Sequence, residues 1–360
     1  MALETGQVAG RATRVTPLRR RRGWSRYSSR TFYIFVAPWL LVGFLGLTVL
    51  PLAYALGVSF TDFDGLSPRW HWIGLANYGE MVSDPDTWFS LGRTLLLTLI
   101  TVPLAIVGGL GLAVLLNRRM RGIGLFRAIF YAPSIVPIVA TALIFKLLFD
   151  RDAGFVNALI ERAGGPTVAW LTDPTVFTVL VLMILWQMGY NMVIFLAGLQ
   201  GVPSELREAA SIDGAGVVQT FRNVTLPLLT PIVFFQVITG VIYSLQRQIE
   251  PLLLTVGVSF GGAAGQIANV PRSNDLYMVN VYAQFFANQR YGYGSALLWL
   301  LFVIILAITL VVFRSGSLWV YYEVEQGKEN SIFALFVCLP HVVVHQAPKP
   351  QHIERRGRFT

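Results

Sequence analysis

Thr94-Leu-Leu-Leu-Thr-Leu-Ile-Thr-Val-Pro103-Leu-Ala-Ile-Val-Gly-Gly-Leu-Gly-Leu-Ala-Val-Leu-Leu116 is a stretch of 23 residues without a single charge. A hydrocarbon layer of about 30 Å takes about 20 residues of α-helix to cross. The run is continuous rather than alternating, so it lacks the strand pattern of a membrane barrel. In lipid the backbone can bond only to itself, and a single segment does that as a helix. The stretch therefore predicts a helix that spans a membrane.

Five further segments read the same way, giving spans at Phe32–Leu56, Thr94–Leu116, Leu125–Leu148, Phe177–Ala197, Leu228–Leu245 and Ser295–Phe313. Composition agrees. Hydrophobic residues make up 54% of the 360 and charged residues 13%, against about 25% charged in soluble domains. The expected fold class is all-α, a multi-pass transmembrane helical bundle of six spans. The chain divides into a basic arm (1–31), a first helix with its loop (32–92), a five-helix core (93–314) and a tail (315–360).

The net charge of +9 raises nucleic acid as a partner, but eight arginines fall between Arg11 and Arg30, just ahead of the first span. A basic arm there is what the positive-inside rule predicts, so membrane lipid is the expected neighbour and nucleic acid is not. Arg118, Arg119, Arg121 and Arg127 follow the second span and belong on the same, cytoplasmic side. Both termini and the loop Leu199–Leu226 are then cytoplasmic. Loops 61–92, 149–175 and 247–293 face outward, with Asp62, Asp64, Asp84, Asp86, Asp150, Asp152 and Asp173. The first apolar run is long enough to span and no clear cleavage site follows it, so no cleavable signal peptide is expected. The single cysteine, Cys338, excludes an internal disulfide.

The last internal loop holds Pro203-Ser-Glu-Leu-Arg-Glu208-Ala-Ala-Ser-Ile-Asp213-Gly214 and continues to Phe221-Arg-Asn-Val-Thr-Leu226-Pro227. Its chemistry predicts a helix, a sharp turn and a second short helix. Pro203 suits a first helical turn and Glu205 complements the positive dipole end. Asp213-Gly214 is a stop, since Gly takes the left-handed conformation that ends helices. Val217, Val218, Phe221 and Val224 recur at helical spacing, and Pro227 limits the continuation. On these residues alone the loop is either an amphipathic segment lying on the membrane or its own bundle, or a docking element for a partner.

Glu208-Ala209-Ala210, Gly214, Val224 and Leu226-Pro227 resemble the signature of the inner-membrane components of binding-protein-dependent importers. That signature reads Glu-Ala-Ala, three residues, Gly, nine residues, a branched apolar residue, one residue, Leu-Pro. The one departure is Val224, where isoleucine is usual. Val202-Pro203, Leu206 and Asp213-Gly214-Ala215 resemble the carbohydrate branch, and the wider resemblance covers roughly residues 32–320, Asn77-Tyr78 included. It implies the type I permease fold of ATP-binding-cassette importers, in a bacterial inner membrane. It implies a sugar or sugar-like solute, and partners: a second homologous permease chain, two ATPase chains and an extracytoplasmic substrate-binding protein. ATP and Mg would sit on the ATPase chains, with no cofactor here, and the chain carries no phosphate loop of the Gly-x4-Gly-Lys-Ser/Thr type. By the same resemblance Glu208, Ala209, Ala210, Asp213, Gly214, Leu226 and Pro227 form the coupling element that seats on an ATPase.

Polar side chains inside spans usually face a pore or a partner helix. Gln187, Tyr190 and Asn191 in the fourth span, and Gln236, Tyr243 and Gln246 along the fifth, are the substrate-path candidates. Neutral amides and phenols donate and accept, which suits hydroxyl-rich ligands; bridging between helices is the alternative. Gln248 and Glu250 lie just beyond, and Arg247 stands where an apolar residue is expected. A secondary transporter or channel is the rival reading. Ion coupling should place paired charges mid-membrane, whereas the spans hold almost none, with Lys146 near an outer end. Gly257-Val-Ser259-Phe-Gly261 mimics a nucleophile elbow but lacks its strand-turn-helix setting, and His71 is the sole histidine ahead of the tail. In the tail, Pro340 separates Cys338 from His341 and His345, so no helix aligns them as ligands. Residues 327–360 match nothing in the family and read as an unstructured or non-native extension.

Overall fold

The computed structural model describes residues 33–36, 38–118, 120–255 and 270–321. The arginine-rich arm, the Gly257–Gly261 motif and the tail with Cys338, His341 and His345 lie outside the described residues. The chain begins with α1 (Tyr33–Val58), followed by α2 (Ala76–Ser83) and α3 (Pro85–Leu116). Next come α4 (Ile123–Tyr131), α5 (Ile138–Leu148), α6 (Phe155–Arg162), α7 (Val176–Trp186) and α8 (Gly189–Gly201). They are followed by α9 (Ser204–Ile212), α10 (Val217–Leu245), α11 (Ile249–Thr255), α12 (Tyr277–Phe286) and α13 (Tyr291–Trp319). Among the described residues the β structure is one isolated bridge, Thr61 to Trp72. The all-α expectation holds.

Five helices have the length and apolarity to cross a membrane: α1, α3, α7 joined to α8, α10 and α13. The third predicted span meets the same test only as a bent pair, which makes six if the pair is one broken span. Leu125–Leu148 was expected to be one helix, but α4 passes into a 3-10 turn at Ala132–Ser134 and α5 leaves it at 94°. Pro133 and Pro137 are the cause. Each removes a backbone N–H; Ala132 ahead of Pro133 stays helical, and the chain turns extended at Pro137, with ψ 139°. A hydropathy window averages over such a break.

α3 lies at the centre and packs against α8 and α10. It starts at Pro85, ahead of the predicted Thr94, because Asp84 caps it by accepting from the Asp86 N–H at 3.1 Å with proline in the first turn. A stripe of buried hydroxyls runs down one face: Thr87, Ser90, Thr94, Thr98 and Thr101. Spacings of three and four residues keep them in line. They tie neighbouring helices together without charge. The Tyr277 N–H donates to Thr94 Oγ1 at 2.8 Å, and Thr98 Oγ1 donates to Ser244 Oγ at 2.8 Å. Apolar clusters flank the stripe, one around Leu97, Leu180 and Met183, another around Met192, Phe195 and Leu229, a third around Leu245, Tyr277 and Leu297.

The two ends of the bundle differ in chemistry. At one, Arg127 donates to the Leu116 carbonyl at 2.8 Å and closes the C-terminus of α3. At the other, Asp173 receives the N–H groups of Arg272 and Ser273 at 2.9 and 2.8 Å, and Arg93 holds the Ser273 carbonyl at 2.7 Å. Asn77 there donates to the carbonyls of Ser59 and Thr61, both at 2.9 Å. Asp275, in the same region, has its carboxyl raised to about 6 by burial, with Asp86 adding to the rise and Arg272 opposing it.

Candidate functional site

Two helix breaks meet at one level of the bundle. The first is the Ala132–Ser134 elbow between α4 and α5. The second separates α7 from α8 at Gln187 and Met188. They lock together: Ser134 Oγ donates to the Gln187 carbonyl at 3.1 Å, beside the Tyr190 N–H that the same carbonyl accepts at 3.3 Å. Gly189 makes the approach possible. A Cβ there would stand 2.0 Å from the Phe130 carbonyl oxygen.

Beside the junction opens a cavity of about 410 Å³, walled by α3, α10 and the two breaks. Irregular backbone at membrane depth is tolerated where it lines a cavity. Gln187, Tyr190, Asn191, Gln236 and Tyr243 line it, so five of the six substrate-path candidates converge there. Gln246 does not; it lies exposed at the end of α10. Gln236 serves the bundle as well, since its Nε2 reaches the Asn191 carbonyl at 3.4 Å.

Sequence reasoning passed over other lining groups. Thr101, Ser134, Thr239 and Ser244 add hydroxyls, and Arg247, which the sequence marked only as a misfit, adds the single charged side chain in the wall. The α3 hydroxyls had a readable signal in their spacing of three and four. Ser134 had none, because its position depends on the unforeseen elbow. Gly109 and Gly240 let the walls approach closely, each with atoms of a neighbouring helix within 3.1 Å of where a Cβ would stand.

The loop between α8 and α10 is the second feature. Gly214 has φ +83°, and the turn is a complete Schellman motif. The Ala215 N–H bonds the Ala210 carbonyl at 2.9 Å and the Gly214 N–H bonds the Ser211 carbonyl at 3.1 Å. Pro203 occupies the N-cap rather than the first turn, with Glu205 in that turn. α9 buries none of its residues. Glu208 and Ala209 are exposed and Ala210 half-buried, while Ile212, Val217 and Val218 are 87%, 88% and 79% exposed. Three branched apolar side chains, flanking the Gly214 turn, are thus bare.

The second helix of the loop is not short. It passes Pro227 and becomes the spanning helix α10. A π-helical turn over Phe221–Thr225, where the Leu226 N–H reaches back to the Phe221 carbonyl, widens the helix just ahead of Pro227. That gives the ring room and relieves the missing N–H. Pro231 is accommodated in another way. The Pro227 carbonyl, deprived of its usual donor, receives the Thr230 hydroxyl at 2.7 Å. The result is one helix of 29 residues, about 43 Å long at 1.5 Å per residue, with the bare loop at one end and the cavity wall at the other.

Residues 102–320 match the family described as binding-protein-dependent transport system inner membrane component. The chain is 38% identical to a probable ABC transporter permease protein, YesP, of Bacillus subtilis, over 82% of this chain and 93% of that one. It is 32% identical to the trehalose/maltose transport system permease protein MalF of Thermococcus litoralis, over 79% and 92% of the two chains. Among solved structures, a bacterial ABC transporter that imports the acidic polysaccharide alginate superposes with a TM-score of 0.67 at 20% identity, covering 81% of this chain and 97% of that chain. At that identity the likeness is one of fold.

Proposed function

We propose a function from one premise: the chain belongs to the family of binding-protein-dependent transport system inner-membrane components. It is a multi-pass membrane protein and the permease subunit of an ATP-binding-cassette importer, one half of the pore for a sugar or sugar-like solute. A second permease chain completes the pore, two ATPase chains hold ATP and Mg, and an extracytoplasmic binding protein delivers the solute. The observation that carries this reading is α10, a single helix joining the bare loop to the cavity wall. A rigid element converts movement of a partner at the loop into rigid-body movement at the cavity, where a flexible connection would absorb it. The apolar tip, the charged α9 and the left-handed Gly214 suit insertion into a cleft of the ATPase. The neutral amides and hydroxyls of the wall suit a polyol.

The test of this division of labour is reconstitution. The purified chain should hydrolyse no ATP, and the assembly with its ATPase chains should do so and drive uptake of a labelled sugar. Hydrolysis by the chain alone, contaminants excluded, sinks the reading. Topology is tested separately. We infer cytoplasmic termini and a cytoplasmic 202–216 loop from the arginine distribution. In a background with Cys338 replaced by serine, a cysteine at Asp84 should react with an impermeant thiol reagent added outside, and one at Ser211 should not. The reverse pattern overturns the assignment.

A further inference from the structure

We propose that Arg247 and Glu250 form a charge filter that admits neutral sugars to the cavity and rejects acidic ones. The inference rests on the transport reading above and names the substrate class of the same cavity. Arg247 is the one charged residue of the cavity wall. It sits where α10 ends and α11 has not begun, and its Nη1 donates to Glu250 Oε1. Both side chains are withdrawn from the surface, 19% and 12% exposed. Glu250 therefore fixes one edge of the guanidinium, and the other edge remains.

That remaining edge carries the argument. The Arg247 Nε–H is buried and has no acceptor among the described residues. Buried donors without partners are rare in native proteins, because the group has lost its water and gained nothing. At a cavity wall, the missing acceptor is one that a ligand brings. The charge balance says which kind. Arg247 and its partner Glu250 sum to zero, and every lining residue besides Arg247 is neutral. A hydroxyl oxygen accepts from Nε and leaves the sum at zero. A carboxylate or sulfonate would leave one uncompensated negative charge beside Glu250 in a poorly solvated space, which is strongly unfavourable. The guanidinium is thus a fixed hydrogen-bond donor whose cationic pull on acids Glu250 has cancelled. A merely structural role, stapling α10 to α11, makes no distinction between sugars.

The experiment measures ligand binding to the assembled permease–ATPase complex in detergent, without the binding protein, so that the binding protein does not filter the ligand. The variants, all in this chain, separate its share from that of the second permease. The probes are maltose and the same disaccharide with one hydroxymethyl group oxidised to a carboxylate. Wild type should bind maltose about tenfold or more tightly than the acid, the scale of one hydrogen bond to a charged group. Glu250→Gln uncovers the cation and should narrow or reverse that ratio by about tenfold. Arg247→Gln combined with Glu250→Gln keeps the net charge and removes the donor, so maltose binding should weaken about tenfold while the complex stays assembled. A wild-type preference for the acid, an unchanged ratio in Glu250→Gln, or no sugar binding by the wild-type complex overturns the filter. Sugar uptake by the whole importer is a separate result. If the importer moves sugar while the ratio is unmoved, only the filter is lost. If it moves none, the transport reading falls and the filter with it.

Discussion

Gly214→Val should leave the chain in the membrane at normal abundance and reduce sugar uptake about tenfold or more, while ATP hydrolysis persists or loses its dependence on solute. At φ +83° a residue with a Cβ is strained on the order of 1–2 kcal/mol, more with a branched side chain. That is enough to shift a two-state equilibrium by roughly 5- to 30-fold. Steric crowding is not the cause, since a Cβ at Gly214 meets nothing within 4 Å. The effect is therefore conformational, and a matched variant isolates it. Asparagine tolerates the left-handed region far better than valine, so Gly214→Asn should keep most of the uptake. Relief of the strain in Gly214→Val would straighten the Schellman turn, rotate α9 relative to α10, and take the apolar tip out of the ATPase cleft. Glu208→Ala leaves the turn intact and removes one exposed charge, so it should weaken co-purification of the ATPase without blocking insertion. If Gly214→Val imports sugar at the wild-type rate, the loop is a connector and α10 is no lever.

Some of this geometry is written in the sequence because physics leaves few alternatives. Thr94–Leu116 must be a helix in lipid. Asp213-Gly214 must end one, because only glycine adopts the left-handed turn without strain. The Gln187, Asn191 and Gln236 amides were legible as polar groups in apolar runs, where they need partners or a cavity. The elbow at Ala132–Ser134 had its signal too, in Pro133 and Pro137, but apolarity across Leu125–Leu148 outweighed them in a reading tuned to length. The passage of α10 through Pro227 had no local signal. A proline usually stops or kinks a helix, and here a π-helical turn upstream makes room for it. Arg247 read as a misfit because its partner, Glu250, lies one turn away across a helix end. Only the fold shows that Arg247 lines the cavity with Glu250 paired to it.

The close approach at Gly189 was not legible, because its partner is the backbone of Phe130 on another helix; it sets the second prediction. Gly189→Ala should destabilise the chain more than the same change at Gly240 or Gly111. The new Cβ would stand 2.0 Å from the Phe130 carbonyl oxygen and 2.9 Å from its carbon. Backbone atoms cannot rotate aside as a side chain can. The added methyl must therefore push the α4–α5 elbow away from α8, stretching the Ser134 to Gln187 hydrogen bond. Overpacking of this kind costs about 1–3 kcal/mol, and more where backbone must move, which corresponds to a loss on the order of 5 °C or more in the thermal midpoint of the solubilised complex. Gly240→Ala is the milder case, since the contact is the Val102 side chain at 3.1 Å. Gly111→Ala is the neutral one, with nothing within 4 Å. In lipid the chain stays helical when its packing is lost, so the usual gain in helix propensity on replacing glycine should be small. The ordering of the three midpoints is the test. A Gly189→Ala complex that melts with Gly111→Ala, and transports as well, would show that the two helix breaks are not locked together and that the cavity wall at this level is free to move.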